Sequence, residues 1–161
     1  MPISLVGMPG SGKSTVGRQL ARQLNWRLVD TDAEVELQIG MPIRVFFEQQ
    51  GERAFRDIEQ DVVERLSRLS DTIIATGGGA VLRAANRHAL AGNTHVVYLR
   101  STPEELFRRL RHDTQRPLLQ VADPLRRLRE LYRERDPLYR ETAQFVIETG
   151  RPTVPMLTNM I

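Results

Sequence analysis

Residues Gly7 to Ser14, GMPGSGKS, fit the spacing G-x-x-x-x-G-K-[ST] without a mismatch. Each residue type has a chemical reason. Gly7, Gly10 and Gly12 let the backbone curl so that its N–H groups point at phosphate oxygens, and a following helix start adds partial positive charge. Lys13 has the reach to meet β- and γ-phosphates, and the Ser14 hydroxyl can take a place on Mg²⁺. Of 23 basic residues, 22 are arginine, so Lys13 is the only lysine. A chain that uses arginine everywhere else keeps lysine where a compact charge on a flexible stem is needed. The alternative is a glycine-rich turn with no ligand, and the flanks argue against it. Ile3, Leu5 and Val6 predict a strand before the loop; Val16, Leu20, Ala21 and Leu24 predict an amphipathic helix after it. The expectation is a nucleotide-binding protein.

Phosphate-loop proteins often hold Mg²⁺ through an aspartate that ends an apolar strand. Here the apolar run Thr72–Thr76 is followed by Gly77-Gly78-Gly79, so the nearest substitute is Asp30, after the run Trp26–Val29. With Asp32 it makes a pair that can divide the labour: one carboxylate for the metal's water shell, one for a hydroxyl that will attack phosphorus. Local helix capping is the alternative for both, although Thr31 with Glu34 has capping-box spacing of its own. The triple glycine is either a tight strand-to-helix turn or a stretch where a ligand touches bare backbone N–H groups. Arg56, beside Phe55, and Arg135, in Arg-Asp-Pro-Leu-Tyr, have guanidinium groups suited to gripping a carboxylate bidentately. Either could equally be an ordinary surface arginine. Arg116, in a segment of weak periodicity over 112–122, suits a charge delivered in the transition state.

The elements that must position these residues alternate. Strands are expected at Ile3–Val6, Trp26–Val29, Thr72–Thr76, His95–Leu99 and Gln144–Glu148. Helices are expected after the phosphate loop, from Thr31 to Ile39, over Ile43–Gln50, for about 18 residues through Phe55, Ile58, Val62, Val63, Leu66 and Leu69, over Val81–Leu90, from Thr102 to about Arg111, from Asp123-Pro124 to Thr142, and over Val154–Ile161. Such alternation predicts an α/β fold, a five-stranded parallel sheet between helical layers. The 161 residues suffice for one domain, with an acceptor-binding segment over about 31–60 and a lid over about 110–123. The absence of cysteine fits a reducing cytoplasm, and no leader or membrane-spanning run is evident. The formal charge of +3 arises wholly in residues 100–141, with 11 arginines against eight acids. A solvated helix face or a lid over an anionic substrate explains this run; a nucleic-acid patch is less favoured because few aromatics are interleaved. No uncovered apolar stripe is evident, so a monomer is expected.

Taken together, GMPGSGKSTVG (7–17), DTD (30–32), GERAFRDIE (51–59), ATGGGAV (75–81), RPLL (116–119) and RERDPLYRETA (133–143) resemble the shikimate kinase family, in its order and over nearly the whole chain. The resemblance implies Mg²⁺- and ATP-dependent phosphorylation of the 3-hydroxyl of shikimate, on the chorismate route to aromatic amino acids. It implies that Gly10, Ser11, Gly12, Lys13, Ser14 and Thr15 bind ATP phosphates, with Ser14 on Mg²⁺ and Asp30 on its water shell. Asp32, Arg56, the Gly77-Gly78-Gly79 backbone and Arg135 would hold shikimate. Glu59 would brace Arg56, and Arg116 would be the lid arginine near the transferred group. The adenine contact would fall near Gly150-Arg151-Pro152, with Arg151 the residue assigned, and the arginine on its other side stays open among Arg108, Arg109 and Arg111. No histidine is placed as a phosphoryl carrier, so transfer is expected to be direct. Rivals within the fold are a gluconate-type or nucleoside-monophosphate kinase. A GTP switch is opposed because a guanine-reading N-K-x-D needs a second lysine. A non-catalytic ATP-binding module is opposed by intact Lys13, Ser14, Asp30 and Asp32.

Overall fold

The computed structural model describes residues 1–110 and 122–149. Its centre is β1 (Ile3–Val6), flanked in a five-stranded sheet of order β2-β3-β1-β4-β5 by β2 (Arg27–Asp30), β3 (Thr72–Ala75), β4 (His95–Arg100) and β5 (Phe145–Glu148). Every pairing is parallel. Side-chain alternation divides the strands between two faces. Leu5, Ile73, Val97 and Leu99 pack with Val16 and Leu20 of α1 (Lys13–Leu24). On the opposite face, Val6, Val96 and Tyr98 join Leu106, Leu128 and Tyr139, while Ile74 joins Val35, Phe55 and Val62. Sandwiching explains why β3 reads as a continuous apolar run rather than an alternating one. Each such buried aliphatic side chain contributes about 1.5–3 kcal/mol.

The helices follow the predicted order, with three departures. In α2 (Thr31–Ile39) the N-cap is Asp30, whose Oδ1 accepts from the N–H groups of Asp32 (2.8 Å) and Ala33 (3.2 Å). The expected Thr31–Glu34 capping box therefore does not form. β2 runs straight into α2, so the last extended residue takes the cap, and the Thr31 hydroxyl is left to accept from Gly77 N–H at 2.8 Å. After α3 (Ile43–Gln50), α4 (Glu52–Leu66) stops at 15 residues. The Ser67 hydroxyl donates to Glu64 O, and Leu69 packs from a tight turn beyond the helix. The helix expected over Val81–Leu90 divides into a 3₁₀ turn, Ala80–Leu82, and α5 (Ala84–Asn93). Arg87 donates to the carbonyls of Val81 and Leu82, and Asn86 to that of Ala80, satisfying the backbone where the two pieces part. α6 (Pro103–Leu110) and α7 (Pro124–Thr142) complete the helices, α7 starting at an Asp123 cap.

Arg116, Arg151 and the helix expected over Val154–Ile161 lie outside the described residues. Among those described, no helix is long and apolar enough to cross a membrane. Because all strands are parallel, their carboxyl ends share one edge, and Gly7, Asp30, Gly77 and Ser101 gather there.

Candidate active site

The phosphate loop crosses that edge between β1 and α1. Gly10 and Gly12 stand at φ +85° and +98°, conformations that disfavour any side chain. The turn folds back far enough that the Lys13 ammonium donates to the carbonyls of Gly7 (2.6 Å) and Met8 (3.0 Å). Beside it opens a cleft of about 540 Å³, lined by Gly10, Gly12, Lys13, Ser14 and Thr15 of the loop and its helix and by Asp30, Asp32, Thr76, Gly77 and Gly78 from the ends of β2 and β3. Ser11 is buried in the loop, its hydroxyl without a hydrogen-bond partner among the described residues. Curled backbone, helix N-terminus and one ammonium group form the donor set that a polyphosphate requires.

Asp30 caps α2 and lines the cleft, so capping and a place at the site are the same position rather than alternatives. Asp32 sits in the first turn of α2. Burial first, then the charges of Asp30 and Glu59, push its carboxyl up to about 6, against the pull of Lys13 and Arg56. The hydroxyl of Ser14 and the carboxylate of Asp30 are hard oxygen donors lining the same cleft. Among the described residues no three His, Cys, Asp or Glu side chains cluster as a metal cage. The donors present fit a Mg²⁺ ion held by one or two protein oxygens, water and phosphate.

The three glycines after β3 have individual reasons. None takes a left-handed φ, so a turn alone does not require them. A Cβ on Gly77 would stand 2.5 Å from Asp32 Oδ1, and one on Gly78 would stand 2.8 Å from Pro9 Cδ and 3.3 Å from Arg135 Nη1. One on Gly79 would stand 2.5 Å from Arg56 Nη2. Each missing side chain makes room for a different site residue.

The two guanidinium groups thus converge on Gly78-Gly79 from different helices, α4 and α7. Arg56 is held by Glu59, whose Oε1 accepts from Nη1 at 2.9 Å, and lies 5.0 Å from the Phe55 ring centroid. The arginine side chain is 13% exposed and the glutamate 1%. The predicted brace exists. Burial raises the Glu59 pKa, with Arg56 foremost among the groups opposing the rise. Arg135 Nε is buried without a hydrogen-bond partner among the described residues. Glu52, 60% exposed, also lies 3.5 Å from Arg56 Nε; the two guanidinium groups together offer the planar donor set of a cradle for an anion.

One contributor was not singled out from the sequence, and another was left among alternatives. Tyr139 donates from its hydroxyl to Gly78 O; its spacing of one helical turn from Arg135 was the available signal. Arg109, one of three arginines left open, donates to Gly10 O, Ser101 Oγ and Thr149 O at the cleft mouth. Arg108 is exposed on α6, and Arg111 lies outside the described residues.

A polyphosphate loop with two acidic side chains in its cleft and an anion cradle next to it defines a phosphate-loop kinase acting on small molecules. The comparisons narrow that class. A family model described as SKI: Shikimate kinase matches residues 9–160. A shikimate kinase of Paracidovorax citrulli is 55% identical over 153 residues, 94% of this chain and 84% of its own. A shikimate kinase from Acinetobacter baumannii, solved in complex with shikimate, superposes with TM-score 0.94 at 43% identity, covering 99% of this chain and 89% of that one. The enzyme from Aquifex aeolicus gives 0.85 at 31% identity, with 99% and 94% covered. The chain belongs to the shikimate kinase family.

Proposed function

We propose that this protein transfers the γ-phosphoryl group of ATP directly to the 3-hydroxyl of shikimate, giving shikimate 3-phosphate and ADP on the route to chorismate. The observation that carries the reading is the convergence of Arg56 and Arg135 on the side-chain-free Gly78-Gly79 backbone, whose Gly78 abuts Pro9 of the phosphate loop and lines the same cleft as Lys13. A carboxylated ring held there presents its far hydroxyls to Asp32 and to the loop. Gly77, Gly78 and Gly79 supply bare backbone beside the carboxylate, and Asp32 orients the attacking hydroxyl and receives its proton. Gly10, Ser11, Gly12, Lys13, Ser14 and Thr15 hold the ATP phosphates, the Lys13 ammonium countering charge on the transferred group. Ser14 and, through water, Asp30 hold Mg²⁺, which when bound neutralises phosphate charge. Arg116 is assigned to the transferring group and Arg151 to the adenine region.

Catalysis in this scheme is positioning plus electrostatics, with no covalent phosphoenzyme. A cytoplasmic monomer is the form we assign. The test is ADP release with Mg²⁺ and ATP, comparing shikimate, gluconate, nucleoside monophosphates and no acceptor. Turnover on the order of 1–100 s⁻¹ with shikimate alone is expected. Turnover with another acceptor instead overturns the carboxylate-ring assignment.

A further inference from the structure

We infer that Tyr139 is a positioning residue for the acceptor half of the cleft, its hydroxyl fixing the Gly78 peptide relative to Arg135 on the same helix. The inference rests on the acceptor reading above, which makes this corner the carboxylate cradle.

Tyr139 is fully buried on α7, and its ring lies 4.9 Å from that of Tyr98, tilted by 37°. Phenylalanine would fill the same space and make the same ring contact. What the hydroxyl adds is its bond to Gly78 O and its interaction with the Arg135 guanidinium. That carbonyl matters because three successive glycines carry more backbone freedom than any other tripeptide, and order there must come from outside. The neighbouring groups are already held. Gly77 N–H donates to the Thr31 hydroxyl, while the carbonyls of Gly77 and Gly79 accept from Ala80 and Leu82 N–H. Gly78 O is the remaining handle, and Tyr139 takes it. The carbonyl of Gly78 and the N–H of Gly79 belong to one planar peptide and point opposite ways, so gripping the first aims the second away from the tyrosine.

The same helix turn sets Arg135, whose Nη1 stands 3.3 Å from where a Gly78 Cβ would be. α7 is tied down directly after that arginine. The next residue, Asp136, accepts from Tyr98 Oη (2.6 Å) and Arg100 Nε (3.3 Å), and Tyr139 follows one turn later. Backbone and guanidinium therefore share one frame. Burial pushes the Tyr139 hydroxyl pKa well upward, the adjacent Arg135 opposing, so the group stays a donor across the working pH range.

The test is steady-state kinetics of Tyr139→Phe beside wild type and Ser4→Ala. The latter loses a buried hydroxyl pair with Thr94, far from the cleft. For Tyr139→Phe we expect the shikimate KM to rise about 3- to 10-fold, the loss of one hydrogen bond, with kcat and the ATP KM within about twofold. Ser4→Ala should lower the melting temperature and leave both KM values alone. KM reads only folded molecules, so partial unfolding of either variant does not imitate the effect. An unchanged shikimate KM, a parallel rise in both KM values, or an equal rise in Ser4→Ala overturns the inference. Amide hydrogen exchange at Gly78 and Gly79 needs no acceptor. Faster exchange in Tyr139→Phe supports positioning and unchanged exchange overturns it, even if wild type were to prefer another acceptor and the proposed function itself failed.

Discussion

Gly79→Ala asks whether the acceptor cradle depends on bare backbone. Gly79 has φ −95° and ψ 8°, a conformation alanine adopts without strain, so the backbone should not object. The added methyl would meet Arg56 Nη2 at 2.5 Å, Nη1 at 2.6 Å and Cζ at 2.7 Å. Unstrained contact needs roughly 3.5 Å, so the guanidinium must retreat by about 1 Å. It is not free to do so without cost, since Glu59 holds it at 2.9 Å inside the core boundary. Misplacement on that scale costs about 10²-fold in kcat/KM, or roughly 2.7 kcal/mol. The loss should appear mainly in the shikimate KM, because the phosphate loop is untouched. The assay is coupled ADP release with shikimate varied at saturating ATP, alongside thermal melts. Gly92→Ala is the control: it lies in α5 with nothing within 4 Å of its Cβ position, and should keep normal kinetics while gaining about 0.4–1 kcal/mol. A folded Gly79→Ala whose shikimate KM stays within about twofold of wild type would refute the reasoning and remove Arg56 from the cradle.

Arg135→Ala should raise the shikimate KM, with about 2–5 kcal/mol lost in transition-state binding, and near-normal kcat/KM would take Arg135 out of the site. Lys13→Ala should nearly abolish turnover while circular dichroism shows the fold retained; substantial activity in the folded variant would sink its catalytic role. Asp32 gives a signed pH prediction. Its carboxyl is raised to about 6 in the folded protein, against about 3.9 for a free aspartate. The folded state thus holds a proton that the unfolded chain releases, and stability falls as pH rises between those values. Asp32→Asn should therefore melt above wild type at pH 8, the gap closing toward pH 4, while losing most turnover; a variant less stable at every pH would contradict this. For wild type, kcat/KM for shikimate should decline below about pH 6, and an acid limb unmoved in a slow, folded Asp32→Asn would assign that proton elsewhere.

The sheet was legible because buried parallel strands announce themselves as short apolar runs, and TIIA and HVVYLR (72–75 and 95–100) have no competing period. Helix ends were harder. The cap of α2 moved from Thr31 to Asp30 because the choice depends on where β2 releases the chain, which spacing does not encode. The break after Leu82 depends on side chains of Asn86 and Arg87 reaching back to carbonyls, a tertiary event with no periodic trace. In the site, residue types pointed to Asp32, Arg56 and Arg135 one at a time. Their meeting at Gly77-Gly78-Gly79 was implied only by the family resemblance and not by spacing, since it joins helices α2, α4 and α7 that are far apart in sequence. Tyr139 went unnoticed because a tyrosine at core spacing reads as packing until its hydroxyl is seen to have a destination.

The solitary lysine has a practical consequence for chemistry done on the protein from outside. With one ε-amine in 161 residues, an amine-directed acylating reagent has a single side-chain target, and it lies against the carbonyls of Gly7 and Met8. Labelling stoichiometry read by intact mass, the α-amine aside, becomes a direct count of accessible phosphate loops. A polyphosphate seated in the loop would slow the adduct's appearance, so occupancy could be titrated without any turnover and without installing a probe.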